Sequence, residues 1–189
     1  MNRTILESFI KEFEYYKMLG EQTFDQVPEE KLFWQHNEES NSIGTIVKHL
    51  SGNMLSRWTD LLTTDGEKKW RDRDSEFEND CSTKEEIFAT WNKGWEVFLK
   101  CLKSLKEEDL VKTVFIRNEP HSVIEAINRQ LAHYPYHIGQ IVFIGKMCSY
   151  TWTSLSIPRN GSKKFNAEKF STPGLQDQVT DKFSENTGK

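Results

Sequence analysis

Apolar positions in this chain recur at steps of three and four residues, the period of a helix, and four stretches carry it. In the first, Leu6, Phe9, Ile10, Phe13 and Tyr16 share a face, and the stretch should end before Pro28. The second begins after "EESNS", where Ser40, Asn41 and Ser42 are all good N-caps. It runs through Ile43, Ile46, Val47, Leu50, Met54, Trp58 and Leu61, with Gly66 as its stop. For the third, Ser82 with Glu85 offers a capping box ahead of Ile87, Phe88, Trp91, Trp95, Phe98 and Leu102, and the helix should end near Lys106. The fourth spans about Ser122 to Cys148, with Ile124, Ile127, Leu131, Ile138, Ile141 and Gly145 on one face. Between the third and fourth, "TVFIRN" has strand composition but is too short to form a sheet by itself. The pattern predicts an all-α fold, a four-helix bundle over residues 1–150.

Length and charge narrow the setting. A chain of 189 residues can bury one substantial core and carry a short appendage. A formal charge of −4, with no dense run of Lys and Arg, argues against nucleic acid as a partner. The start, "MNRTILESFIKEFEYY", is charged throughout, and no run of about 18 apolar residues occurs, so a cytoplasmic protein with no membrane partner is expected. Cys81, Cys101 and Cys148 are odd in number and lack Cys-x-x-Cys spacing, which indicates neither a disulfide framework nor a thiolate zinc site.

Candidate chemistry lies in "HYPYHIGQI", where His133 and His137 stand four residues apart and so share a helix face, one turn from each other. At about 100° per residue, both fall roughly 80–120° from Ile127, beside the apolar stripe. His49 occupies the equivalent edge of the second helix, with Asn53 one turn on. A histidine beside an apolar face is more often a hydrogen-bonded, partly buried residue than a ligand. The third imidazole shifts that balance, because a bundle can bring the two edges together around one ion. Pro135 should kink the fourth helix without separating the pair. His36 and His121 fall in loop or helix-entry positions and read as surface residues. No Glu-x-x-His precedes any of the three histidines, and His-Glu-x-x-His, Gly-x-Ser-x-Gly and P-loop patterns are absent. What remains is a neutral three-histidine site, with Asn53 and Gln140 as candidates to orient its ligands. Imidazole donors suit zinc, nickel, copper and iron alike and do not choose among them; the expectation is a divalent metal, zinc or nickel first. Arg57 falls inside the apolar stripe of the second helix and needs a partner. Asp72, Asp74 and Glu76 are the candidates for an ion pair that fixes the crossover, which Trp70 and Phe77 would pack against the bundle.

Three segments in this order, "IVKHLSGNMLSRW", "DGEKKWRDRDSEF" and "RQLAHYPYHIGQIV", resemble the DinB-like metal-binding bundle superfamily, and within it a bacterial subfamily with no assigned activity. The resemblance covers about residues 1 to 160. It implies a four-helix bundle with a divalent metal on one His of the second helix and a His-x-x-x-His pair on the last. Those positions fall on His49, His133 and His137. Enzymes similar to this fold include S-transferases and isomerases that use low-molecular-weight thiols such as bacillithiol or mycothiol. The expectation is therefore a metal-dependent transferase that activates a small thiol. The alternative is a non-catalytic metal- or ligand-binding protein, or a helical homodimer whose metal is structural. "WTSLSIPRNGSKKFN" resembles the subfamily's carboxy-terminal extension. Residues 151–170 should pack on the bundle, with a mobile tail over 171–189.

Overall fold

Helix boundaries here are set largely by hydroxyl caps. In the computed structural model, which describes residues 4–171 and 178, α1 spans Ile5–Gln26 and opens on a capping box between Thr4 and Glu7. It closes ahead of Pro28. Helix α2 (Ile43–Trp58) starts at Ser42, whose Oγ accepts from the Thr45 N–H and donates to Asn79 Oδ1. Helix α3 (Lys84–Ser104) opens on a capping box one residue later than expected, Thr83 with Glu86 rather than Ser82 with Glu85. Glu86 also accepts from the Ser82 N–H, so the neighbouring hydroxyl residue serves the same carboxylate. Helix α4 (Val123–Cys148) begins at the Ser122–Glu125 box and continues through Pro135. A short helix, α5 (Ser162–Phe170), follows and buries none of its residues.

The four long helices bury their apolar faces together. Helix α2 packs on α3 and α4, and α1 packs on the same two. Close approach of α2 and α3 depends on Gly94, where a Cβ would come within 2.7 Å of Ser51 Cα. Phe13, Phe98, Trp95 and Tyr134, all fully buried, form the centre. Their rings meet edge-on, Phe13 with Phe98 at 4.6 Å and Phe98 with Tyr134 at 5.2 Å. Each such ring contributes roughly 2–3 kcal/mol of apolar burial, plus the preference of aromatic edges for aromatic faces.

Three expectations are corrected. Helix α2 ends at Trp58, not beyond Leu61, because Asp60 takes φ 51° and turns the chain; Leu61 is buried from that turn rather than from a helix. The strand-like run does form a sheet. Thr113–Ile116 (β1) pairs antiparallel with Glu119–Ser122 (β2), a segment whose "EPHS" composition has no strand character. Trp70 does not pack the crossover: it is 61% exposed.

The hairpin turn is Arg117-Asn118, and both residues have φ above +50°. Non-glycine residues are disfavoured there by about 1 kcal/mol or more each. Asp65 offsets the cost by accepting from both turn N–H groups, Arg117 at 2.9 Å and Asn118 at 2.7 Å. Burial raises the Asp65 pKa, but the Glu67 N–H at 2.6 Å and the two turn N–H groups together hold the carboxyl below its usual value.

Beyond α4, Ser149 and Thr153 hydrogen-bond to Gln26, and Trp152 lies against Gly145 beneath Lys146. The expected tail over residues 171–189 lies, apart from residues 171 and 178, outside the described residues. Among the described residues no helix is long and apolar enough to cross a membrane.

Candidate metal centre

His49 from α2 and His133 and His137 from α4 converge, each offering one ring nitrogen, and the three nitrogens lie within 4.8 Å of one another. His49 is buried and the other two are half-buried. His36 is exposed and His121 bonds the Glu119 carbonyl on the hairpin, so neither joins the cluster.

The tautomers follow from the partners of the other ring nitrogen. His49 Nδ1 lies 3.1 Å from Glu76 Oε2. Bonds from His49 and Arg71 keep that carboxyl below its usual pKa although burial opposes the shift, so it is an anion that can only accept. His133 Nδ1 faces Gln130 Oε1 at 3.3 Å, and His137 Nδ1 faces Gln140 Oε1 at 3.1 Å. With an oxygen acceptor at every Nδ1, the neutral form of each ring carries its proton there and leaves the Nε2 lone pair free. Burial, reinforced by the neighbouring imidazoles, also lowers His133 to about 3 and His137 to about 4, which keeps both neutral near pH 7.

One edge of this donor set has the spacing of ligands on a tetrahedral ion. His49 Nε2 and His133 Nε2 are 3.3 Å apart. Two nitrogens bound at about 2.05 Å to a tetrahedral zinc stand about 3.3 Å apart. Without a cation, two lone pairs at that distance repel. The acceptors behind the rings are the orienting oxygens that histidine ligands ordinarily have.

Glu76 is placed by its own supports. Arg71 grips it in a fork, Nε to Oε1 at 2.7 Å and a terminal nitrogen to Oε2 at 2.9 Å. Gly52, three residues after His49, leaves room for it: a Cβ there would overlap the carboxylate. Phe77 lies against the His49 ring at 4.9 Å, and the Arg73 guanidinium lies over Phe77 at 5.0 Å.

Arg57 is buried and paired, but with Glu67 at 3.1 Å and the Gly66 carbonyl, not with Asp72, Asp74 or Glu76. Asp72 and Asp74 are exposed and Glu76 serves His49. Gln140 stands behind His137. Asn53 instead accepts from the Tyr134 hydroxyl at 3.1 Å, and that hydroxyl accepts from Trp58 Nε1. Gln130 was not anticipated, although its place three residues before His133 is a one-turn relation readable from sequence. Glu76 and Arg71 lie 22 or more residues from His49 in a crossover without periodicity. The proximity of Gly52 to His49 was their only local trace.

The elements and the cluster together define a mainly helical protein with a candidate three-histidine metal site. The chain belongs to a family described as protein of unknown function (DUF1572), whose model matches residues 1–161. No curated protein and no solved structure matches it.

Proposed function

We propose that this is a cytoplasmic DinB-like four-helix-bundle protein that holds a divalent metal, zinc or nickel, on His49, His133 and His137 and acts as a transferase on a low-molecular-weight thiol. The observation that carries the reading is the convergence of three imidazole nitrogens, each ring held by an oxygen behind its Nδ1. Three imidazoles leave a tetrahedral ion one position short, and an ion so held lowers the pKa of a thiol that reaches it, supplying a nucleophile near neutral pH. The chain's own part is to present the lone pairs, keep the rings from rotating and bind the substrate. Its own thiols are poor nucleophiles: burial raises Cys101 to about 11 and pushes Cys81 and Cys148 up as well. The nucleophile is therefore assigned to an exogenous thiol.

A second reading, a non-catalytic metal- or ligand-binding homodimer, draws on a different feature. Tyr136, Phe143 and Met147 lie on one side of α4 and are all more than half exposed.

Metal analysis of the purified protein, followed by thiol-consumption assays with an alkylating electrophile, tests the proposal. About one divalent ion per chain and thiol loss that stops when the ion is removed are expected. His133→Ala should lose the ion, whereas His36→Ala and His121→Ala should keep it. Full metal with no thiol turnover would favour the second reading, and metal retained by His133→Ala would refute the site.

A further inference from the structure

Beside the histidines lies a cavity of about 240 Å³ lined by His49, Asn53, Gln130 and His133 together with five arginines, Arg57, Arg71, Arg73, Arg117 and Arg129. No carboxylate lines it, in a chain whose net charge is −4. The arginines come from four separate segments: α2, the crossover before α3, the hairpin turn and α4. Arg57 and Arg71 are committed to Glu67 and Glu76, and Arg117 shares Glu67 at 2.9 Å. Arg73 and Arg129, both exposed, have no carboxylate within ion-pair reach among the described residues.

The amides on the wall are also donors. Asn53 Oδ1 is taken by Tyr134, and Gln130 Oε1 by His133. Their NH₂ groups are the ends that remain, and among the described residues no acceptor takes them. A wall of guanidinium and amide N–H groups, with two imidazoles among them, asks for an acceptor-rich ligand. Burial depresses the Arg57 pKa, Glu67 opposes that shift, and Arg71 and Arg117 add to it, so the paired arginines still feel one another across the cavity, while Arg73 and Arg129 bring charge that no carboxylate offsets. The hairpin adds weight. Its turn residues hold left-handed backbone conformations braced by Asp65, and one of them is Arg117.

We propose that this cavity is a substrate subsite for an oxyanion, a carboxylate or phosphoryl group carried by the molecule that reaches the histidines. Planar guanidinium forks match both groups, and the volume suits a small group rather than a whole drug-sized ligand. The proposal rests on the reading that the histidines are the reactive centre, but the arginines can be tested without it.

The test uses metal-free full-length protein at constant ionic strength, titrated in separate arms with succinate, methylphosphonate and the neutral succinamide. Saturable binding of at least one anion and none of succinamide is expected, and the tighter anion identifies the group. The double variant Arg73→Ala/Arg129→Ala, exposed positions without ion pairs, should bind at least tenfold more weakly. Arg159→Ala, which does not line the cavity, should match wild type. Equal binding by the double variant, binding of succinamide as tight as succinate, or no saturable binding of either anion would overturn the subsite. Because no metal is present, none of these results bears on whether the histidines hold one.

Discussion

His133 and Tyr134 are neighbours on α4, yet they serve regions of opposite character. A rotation of about 100° per residue sends the tyrosine into the aromatic centre and the histidine to the polar end beside the crossover. Around Tyr134, area and ring packing dominate, and two indole N–H groups, those of Trp91 and Trp95, are buried with no acceptor among the described residues. Each costs about 1–3 kcal/mol, of the same order as the burial of its ring. Around His133 the polar groups without a hydrogen-bond partner among the described residues, the amide NH₂ groups of Asn53 and Gln130 and the guanidinium groups of Arg73 and Arg129, line one cavity with two of the imidazoles. The first region tolerates polar imperfection for the sake of apolar burial. The second keeps its imperfection where a ligand would relieve it. A single chain of hydrogen bonds joins them, from Trp58 through Tyr134 to Asn53 on the cavity wall.

If stability and binding are divided in this way, mutations on the two sides should separate them. Phe98→Ala should cost about 3–5 kcal/mol in denaturant unfolding, because its fully buried ring meets Phe13, Trp58 and Tyr134. The fraction that remains folded should still take up metal. His137→Ala should do the reverse, losing metal while metal-free stability changes by less than about 1 kcal/mol. Coincident effects of the two variants would erase the division.

Arg57 sits at the boundary. Its side chain is 5% exposed but that of Glu67 is 29% exposed, so the pair is partly screened. Arg57→Ala should cost roughly 2 kcal/mol, between the surface and buried limits for ion pairs. An unchanged denaturation midpoint would show that the guanidinium is not needed for the fold.

A smaller effect sharpens the contrast. Gln140→Leu removes the acceptor behind His137 without touching the aromatic centre, and metal affinity should fall about tenfold. Competition with a chromophoric chelator measures this, and metal-free unfolding should not change. Loss of stability without loss of affinity would make Gln140 a packing residue.

The same contrast explains what could be read from sequence. The start of α2 at Ser42 and the limits of α4 were legible because hydroxyl caps and apolar periodicity are local signals. The end of α2 was not, since Leu61 sits at a helical spacing although the chain has already turned at Asp60. The partner of Arg57 was misplaced because the crossover has no period to say which of several carboxylates turns inward. Strand β2 was invisible in "EPHS", whose pairing comes from the turn and from Asp65. The three histidines and Gln140 could be picked out by wheel geometry and helical offsets. The role of Glu76 behind His49 and the grouping of the five arginines could not, because only the tertiary fold brings residues 57, 71, 73, 117 and 129 together.

The central claim is that the three Nε2 atoms hold one divalent ion with a position left open. X-ray absorption at the zinc edge, on protein loaded with one equivalent, tests it directly. The account predicts three imidazole nitrogens at about 2.0 Å and one further light atom, with a sulfur scatterer at about 2.3 Å appearing when a small thiol is added. A spectrum dominated by carboxylate or water oxygen, or one with fewer than three imidazoles, would contradict it.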